Sequence, residues 1–351
     1  MLIYWAMFLL PIMASLSPYR LDRTSRTIVV TLLSLMLILI IGLRDHIGYD
    51  WNNYLAMLAR AELGDFQSVF ESVEPGYAFT NWASSRLGWN IYGVNFFCAI
   101  IFVGGLFPFL LRQPNFWRTL AFAVPVLIIV IGMGATRQAA AIGFLALAYN
   151  AFKDRKLVSY LVCVGLAVLF HRSSAVFFLP AWFIHGQLRL WPLVVGGLVF
   201  FAASIFLRDA ASYYQTSYLN NDLEAGGALP RAAVNILAAG LFFVYRRRWL
   251  ERYDDGQLYT IMAGVILLMT PAVLFAPAAA DRMGMYLLPI QIAIFARLPS
   301  VVGSNLRGAV TAASIAGFTL LLGIWLFFSP FAQAAWVPYQ NYIWTGGVAG
   351  L

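Results

Sequence analysis

The sequence has few charged residues, few histidines and almost no cysteine. Asp, Glu, Lys and Arg make up 11% of its 351 residues, histidine occurs three times and cysteine twice. Cys98 and Cys163 both lie inside apolar runs and form no recognisable redox or metal motif. Hydrophobic residues make up 62% of the chain and the mean hydropathy is +0.78. Since no polar stretch is long enough for a separate soluble domain, we predict that the chain is embedded in a lipid bilayer.

Motifs of nucleotide-dependent and metal-dependent enzymes are also missing. The sequence has no Walker phosphate loop, no Gly-x-Ser-x-Gly elbow and no Asp-x-Asp pair. Histidine, cysteine and carboxylate residues do not occur at metal-ligand spacing. We therefore expect no cofactor and no metal, and we expect chemistry that relies on arginine electrostatics.

Apolar windows account for most of the chain. A membrane-spanning helix needs roughly 17–25 apolar residues, and by this measure we count twelve candidate spans between residues 2 and 328. We predict an all-α, polytopic integral membrane protein of about 12 transmembrane helices that forms one domain over residues 1–351. Two more polar segments interrupt the spans. Residues 44–90 have amphipathic helical spacing, and residues 208–230 are predicted to be an exoplasmic loop.

The basic residues are distributed unevenly between the two sides of the membrane. The loop after the first apolar run contains Arg20, Arg23 and Arg26, so we place it in the cytoplasm and both chain termini outside. Alternation then gives the cytoplasmic loops fifteen basic and five acidic residues, a net charge of +10. The outer side has eight basic and ten acidic residues, a net charge of −2. The overall charge of +8 is thus a topology signal, and nucleic acid is not an expected partner.

Arginines occur at the outer ends of several predicted spans. A guanidinium group fits phosphate oxygens in two-point contacts, and helix N-termini favour anions. Several such arginines together would bind a pyrophosphate, whereas the alternatives are lipid headgroups or ion pairs with Asp45, Asp50, Glu74 and Asp281. The predicted pyrophosphate-binding arginines are Arg44, Arg137, Arg172, Arg231 and Arg282.

Three residues on the predicted outer side are candidates for a general base. His171 stands beside Arg172 in a very short connection between two spans, and its side chain titrates near neutral pH. Asp50 and Glu74 compete for the same role, and a histidine that only bonds two helices together is the alternative. We interpret His46 as an interfacial residue. Further predicted substrate-binding residues are Asp45, Trp51, Tyr54, Tyr77, Gln138, Asp281 and Tyr286, the aromatic ones as platforms for sugar rings or as members of an interfacial belt.

An ordered series of short motifs runs through the chain. The motifs are Gly42–Asp45 with Gly48–Trp51 and Tyr54, Glu74–Tyr77, Arg137–Gln138, His171–Ser173, Asp281–Arg282 and Trp336–Tyr339. Together they resemble the EpsG family of Wzy-type bacterial polysaccharide polymerases, and the resemblance covers nearly the whole chain, although each motif alone is short. The family's middle motif often has lysine after the histidine, so Arg172 departs from it while keeping the charge.

The resemblance implies a fold similar to the GT-C class of glycosyltransferases and a metal-independent reaction at the outer face of the bacterial cytoplasmic membrane. Its donor and acceptor would be oligosaccharide repeat units carried on undecaprenyl pyrophosphate, joined into a surface polysaccharide. Chain-length regulator and flippase proteins would be partners. The alternatives are a ligase that moves finished glycan to another acceptor, a sugar acyltransferase, and a transporter or flippase of lipid-linked sugar.

Overall fold

The computed structural model describes residues 1–19, 21–64, 73–185, 228–274 and 277–347. Within these ranges every regular element is a helix, and one isolated bridge joins Arg44 to Asn341. The all-α prediction is therefore confirmed for this part of the chain. The backbone divides into two compact units. Unit 1 contains Met1–Phe144, Leu169–His171 and Ala312–Leu351, and unit 2 contains Leu145–Val168 and Arg172–Thr311.

Unit 1 is built from long apolar helices and shorter polar ones. Two of its long apolar helices are Arg23–Gly42 and Asn90–Leu111, and a π-helical stretch at Val124–Gly132, which contains Pro125, continues the helix Phe116–Ala123. The helices are α1 (Leu2–Leu16), α2 (Arg23–Gly42), α3 (Trp51–Leu63), α4 (Pro75–Arg86), α5 (Asn90–Leu111), α6 (Phe116–Ala123) and the first half of α7 (Thr136–Lys153).

Close helix contacts in unit 1 depend on small residues. α2 runs along α5, while α3 and α4 pack on each other and on α5. A Cβ atom on Gly105 of α5 would overlap the backbone of Gly143 in α7. Glycine at both positions lets the two backbones touch, which is how helices associate tightly inside a bilayer.

The end of the chain returns to the turn after α2. The Asp45 amide donates to the Gln340 carbonyl at 3.0 Å, and the Tyr342 amide donates to the Leu43 carbonyl at 2.8 Å. Gly48 has φ +106°, and its amide donates to Ala335 at 2.8 Å. Only glycine suits this left-handed position, because a Cβ there would also lie 2.6 Å from the Met133 carbonyl. Unit 1 ends with α14 (Arg307–Phe328), α15 (Pro330–Ala335) and α16 (Tyr342–Thr345).

Unit 2 is organised around the helix Ala228–Val244, which contacts the three long helices that follow it. It also contains the second half of α7 and most of α8, and a 3-10 helix, Arg172–Phe183, where a transmembrane α-helix was predicted. Its helices are α8 (Leu157–Phe170), α9 (Ala228–Val244), α10 (Arg246–Arg252), α11 (Gly256–Met269), α12 (Pro277–Tyr286) and α13 (Leu288–Val301).

Three helices among the described residues are long and apolar enough to cross a bilayer, at 23–42, 90–111 and 304–328. A bent pair, Ala280–Tyr286 with Leu288–Val301, raises the number to four if it is one span. The membrane prediction is consistent with these helices, while the count of twelve and the GT-C-like arrangement stay predictions. Most of the predicted loop at 208–230 and part of the amphipathic segment at 44–90 lie outside the described residues.

Candidate functional site

The first candidate site in unit 1 is an ion pair between Glu74 and Arg137. Glu74 precedes Pro75, whose fixed φ starts α4, and Arg137 is the second residue of α7. The Arg137 Nη1 atom donates to the Glu74 Oε2 atom at 2.9 Å. The carboxylate is buried, but 24% of the Arg137 side chain is exposed. The N-terminal ends of α4 and α7 therefore hold the two members of a charged pair that is partly exposed.

His171 adds a third ionisable group to this pair. It is buried at the end of α8, and it lies close enough to Glu74 to influence its ionisation. Burial alone would raise the pKa of Glu74, but the charges of Arg137 and His171 outweigh burial and bring that pKa below its ordinary value. Glu74 is consequently ionised at neutral pH, and its predicted role as a general base conflicts with its service as the partner of Arg137.

Two buried tyrosines form the apolar wall beside Arg137. The guanidinium carbon lies 5.8 Å from the ring centre of Tyr77, and the rings of Tyr77 and Tyr54 are 5.8 Å apart. Burial, reinforced by the charge of Asp50, raises the pKa of Tyr54 to about 12, so the phenol stays neutral. The Arg137 Nε atom has no hydrogen-bond partner among the described residues. Arg137 thus keeps donors for an anion after pairing with Glu74.

Arg44 has a different environment from the one predicted. It is 1% exposed, and within the described part of the chain it has no carboxylate partner. Its Nη1 atom donates to the Ile41 carbonyl at the C-terminus of α2, where the helix dipole favours a cation. Its Nη2 atom donates to Asn95 at 3.0 Å and to the Thr136 hydroxyl at 2.6 Å.

Burial lowers the pKa of Arg44 to about 10, which still leaves the group charged at neutral pH. Thr136 is the residue immediately before Arg137. The contacts of Arg44 therefore hold the start of α7, and we propose a positioning role for it in place of direct pyrophosphate binding.

Unit 2 holds a second arginine–carboxylate pair. Arg231 in α9 donates to both oxygens of Asp281 in α12, at 2.7 and 2.6 Å. Asn235, Thr270 and Gly284 line a small cavity beside this pair. Of the alternatives for the arginines, ion pairing with Glu74 and Asp281 is thus observed for Arg137 and Arg231.

The remaining predicted residues of unit 2 lie in the same helices. Arg282 follows Asp281 in α12, and Tyr286 lies one turn further along. The Tyr286 hydroxyl is 2.8 Å from the Ser173 hydroxyl, next to Arg172. Arg172 and Arg282 are both half-buried. Tyr286 is fully buried and its carbonyl accepts from Tyr149, so it serves as part of the core of unit 2.

The other predicted residues of unit 1 surround the turn after α2. Asp50 occupies the N-cap position of α3, but its side chain makes no capping bond and accepts from Asn53 at 3.3 Å. Trp51 and Gln138 are buried. A single hollow shared by all five arginines stays a prediction.

Sequence reasoning missed a second polar group of unit 1, in the turn after α2. His46 was interpreted as interfacial, and in the structure its Nδ1 atom also lies 2.9 Å from the buried carboxylate of Asp45. The adjacency of an aspartate and a histidine in a glycine-containing turn was the available signal. Periodicity could not reveal it, because the two residues lie in a turn where His46 adopts φ +52°.

Comparison with known proteins gives one match. The EpsG family model matches residues 27–341, which is most of the chain. No curated protein and no solved structure matches.

Proposed function

Because the chain belongs to the EpsG family, a family of polysaccharide polymerases, we propose that it is a membrane glycosyltransferase that joins lipid-linked oligosaccharide repeat units. The carrier is undecaprenyl pyrophosphate, the active site faces the outside of the bacterial cytoplasmic membrane, and no metal takes part. A chain-length regulator and a flippase are its proposed partners.

The proposed reaction is a substitution at the anomeric carbon of the donor glycan. The acceptor hydroxyl oxygen bonds to the anomeric carbon while the bond between that carbon and the pyrophosphate oxygen breaks. The hydroxyl proton passes to His171, and the lipid pyrophosphate leaves with one additional negative charge. Arg137 stabilises this charge, with Arg172, Arg231 and Arg282 as further proposed contacts to the phosphates. Tyr54 and Tyr77 provide the low-dielectric wall that strengthens the interaction.

The observation that carries this proposal is the incomplete pairing of Arg137. Among the described residues its guanidinium makes one hydrogen bond, to Glu74, and its buried Nε atom has no partner. Since 24% of the side chain is exposed, its open edge can bind an oxyanion while the bond to Glu74 stays in place. Of the three base candidates, Glu74 is paired with Arg137, and Asp50 is bonded to Asn53. His171 lies beside the pair and is the base that we propose.

Polymer formation by variants tests the proposal. We expect Arg137→Gln and His171→Gln to fold but to lower polymerisation about 10²- to 10³-fold, the usual loss when one donor to a developing oxyanion is removed. Unpolymerised lipid-linked repeat units should accumulate in cells, as measured by extraction and chromatography. Arg86→Gln, an exposed arginine at the end of α4, is the control that should behave as wild type.

The outcomes separate the alternatives. Normal polymer length in both variants would refute the assignment. Full-length polymer retained on its carrier would indicate the ligase, and repeat units trapped on the cytoplasmic side would indicate the flippase. Purified wild-type protein incubated with lipid-linked repeat units should produce a ladder of products.

A further inference from the structure

The pair Asp45–His46 lies on the outer side of unit 1 and has no part in the mechanism above. The Asp45 carboxylate is 4% exposed, and one of its oxygens accepts from the Tyr92 hydroxyl at 2.7 Å and from the His46 Nδ1 atom at 2.9 Å. The Nδ1 atom faces the carboxylate, so in the tautomer that donates from Nδ1 the Nε2 atom is a hydrogen-bond acceptor.

The imidazole of His46 is held by Asp45 and is also exposed to solvent. The His46 side chain is 58% exposed, while its partner is buried. Its backbone has φ +52°, a conformation that non-glycine residues rarely adopt and that persists only where surrounding contacts impose it. The flanking contacts are those of Asp45 with Gln340 and of Gly48 with Ala335. The turn therefore presents a pre-oriented polar group at the surface of unit 1.

An unsatisfied donor lies beside this group. The indole ring of Trp51 is 5.4 Å from the imidazole, and the residue is 4% exposed. Its Nε1 atom has no acceptor among the residues that the structure describes. A buried N–H group without a partner is costly, so its presence beside an exposed imidazole points to an oxygen that binds there, directly or through a water.

Aromatic rings extend from this point to the surface. The Trp51 ring is 6.2 Å from the Tyr92 ring, which is 4.6 Å from the ring of Tyr342. Tyr342 is 45% exposed. An aromatic face next to one fixed acceptor and one fixed donor suits a sugar, which has an apolar face of C–H groups and hydroxyls that both donate and accept.

The position of Trp51 connects this surface to the Arg137 cluster. Trp51 and Tyr54 are three residues apart on α3, both are buried, and they are separated by about 4.5 Å along the helix axis. Trp51 contacts His46, whereas Tyr54 contacts Tyr77 beside Arg137. Trp51 beside His46 is therefore about one helical turn from Tyr54, whose ring contacts Tyr77 next to Arg137.

We propose that Asp45, His46, Trp51, Tyr92 and Tyr342 form a glycan subsite, in which the His46 Nε2 atom accepts a hydrogen bond from a sugar hydroxyl. This inference rests on the proposed function for the identity of its ligand. It gives His46 a binding role and leaves proton transfer to His171.

Binding of a phosphate-free probe tests the subsite. The probe is the free repeat-unit oligosaccharide, released by mild acid from cells of the producing strain that lack this polymerase. We expect it to bind full-length wild-type protein in lipid nanodiscs, as measured by isothermal titration calorimetry. His46→Asn keeps a donor to Asp45 and tolerates a left-handed φ, but it removes the Nε2 acceptor. It should weaken binding about three- to tenfold, the value of one neutral hydrogen bond.

Trp51→Phe removes the Nε1 donor while keeping an aromatic ring, and it should weaken binding to a similar extent. His185→Asn, at an exposed histidine of unit 2, is the matched control and should bind as wild type. Wild-type affinity in His46→Asn, an equal loss in His185→Asn, or no binding of the probe to wild-type protein would each overturn the subsite.

Kinetics provide a second readout. In His46→Asn the KM for lipid-linked repeat units should rise while kcat stays within about twofold, since the lost bond is made in the ground state. A fall in kcat at constant KM would make His46 a catalytic residue and overturn the binding assignment. Probe binding that depends on His46 in a protein that forms no polymer would refute the polymerase and leave the subsite standing. Normal polymerisation together with no effect of His46→Asn on probe binding would refute the subsite and leave the polymerase standing.

Discussion

The Arg137–Glu74 pair of unit 1 and the Arg297–Asp255 pair of unit 2 have the same chemical groups and opposite degrees of closure. In unit 2, Arg297 donates to both oxygens of Asp255 at 2.7 and 2.8 Å, and the two side chains are 2% and 3% exposed. Its guanidinium lies 4.6–5.5 Å from the ring centres of three aromatic residues. In unit 1, Arg137 makes one bond to Glu74, contacts one ring and is partly exposed.

The difference shows how to separate a structural arginine from a binding one. Arg297 directs its donors to one carboxylate and fills the space around it with Trp249, Tyr253 and Tyr259, so a ligand has no access. Arg137 keeps an unpartnered Nε atom and an exposed edge. A sequence contains the same residue type in both cases, and only the completeness of the pairing distinguishes them.

The largest expected effect comes from opening the closed pair. Asp255→Ala should lower the free energy of unfolding by about 3–5 kcal/mol, because it leaves the buried Arg297 charge without a counter-charge. Thermal and denaturant unfolding in detergent measure this. The neighbouring Asp254 pairs with Lys153 but its side chain is 81% exposed, so Asp254→Ala should stay within about 0.5 kcal/mol of wild type. Equal losses in the two variants would show that the pair in unit 2 is not closed.

Removing the acid of the open pair should have a smaller effect. Glu74→Ala leaves Arg137 partly in contact with solvent, which can hydrate the charge, so we expect a loss of about 1–3 kcal/mol. The same unfolding measurements apply, with the exposed Glu62→Ala as control. If Glu74→Ala destabilises the protein as much as Asp255→Ala does, then Arg137 is as enclosed as Arg297 and its availability to an anion is refuted.

The smallest effect concerns pH. Arg137 and His171 hold the pKa of Glu74 below its ordinary value of 4.5 in the folded protein. The ionised carboxylate therefore contributes stability that is fully present above that ordinary value and is lost as the pH falls through the lower folded pKa. We expect the stability difference between wild type and Glu74→Ala to shrink as the pH falls below 4.5. A difference that grows below pH 4.5 would contradict the pairing.

Much of the fold could be predicted from local pattern. Apolar windows at 27–43, 91–111 and 308–328 correspond closely to α2, α5 and α14, because a long apolar run has few ways to satisfy its backbone other than a helix. The window at 173–186 gave a 3-10 helix instead of an α-helix. Pro180 lacks an amide hydrogen, which removes one α-helical bond, and composition alone does not signal such a departure.

The members of the candidate site were predicted from their positions at span ends, and their roles stay predictions, whereas the motif series led to the family. The backbone bridge between Arg44 and Asn341 was not foreseen, because the two residues are about three hundred residues apart in sequence. The pairing of Asp45 with His46 was missed for a local reason, the left-handed backbone of His46.

The amino-acid sequence by itself determined that the chain is helical, apolar enough for a bilayer and similar to one polymerase family. These properties follow from composition, periodicity and short motifs, which need no knowledge of distant contacts. The tertiary structure alone decided which arginines are enclosed and which keep free donors. That outcome depends on where carboxylates, rings and carbonyls from remote segments meet each guanidinium, because the cost and the availability of a buried charge are set by its neighbours in space.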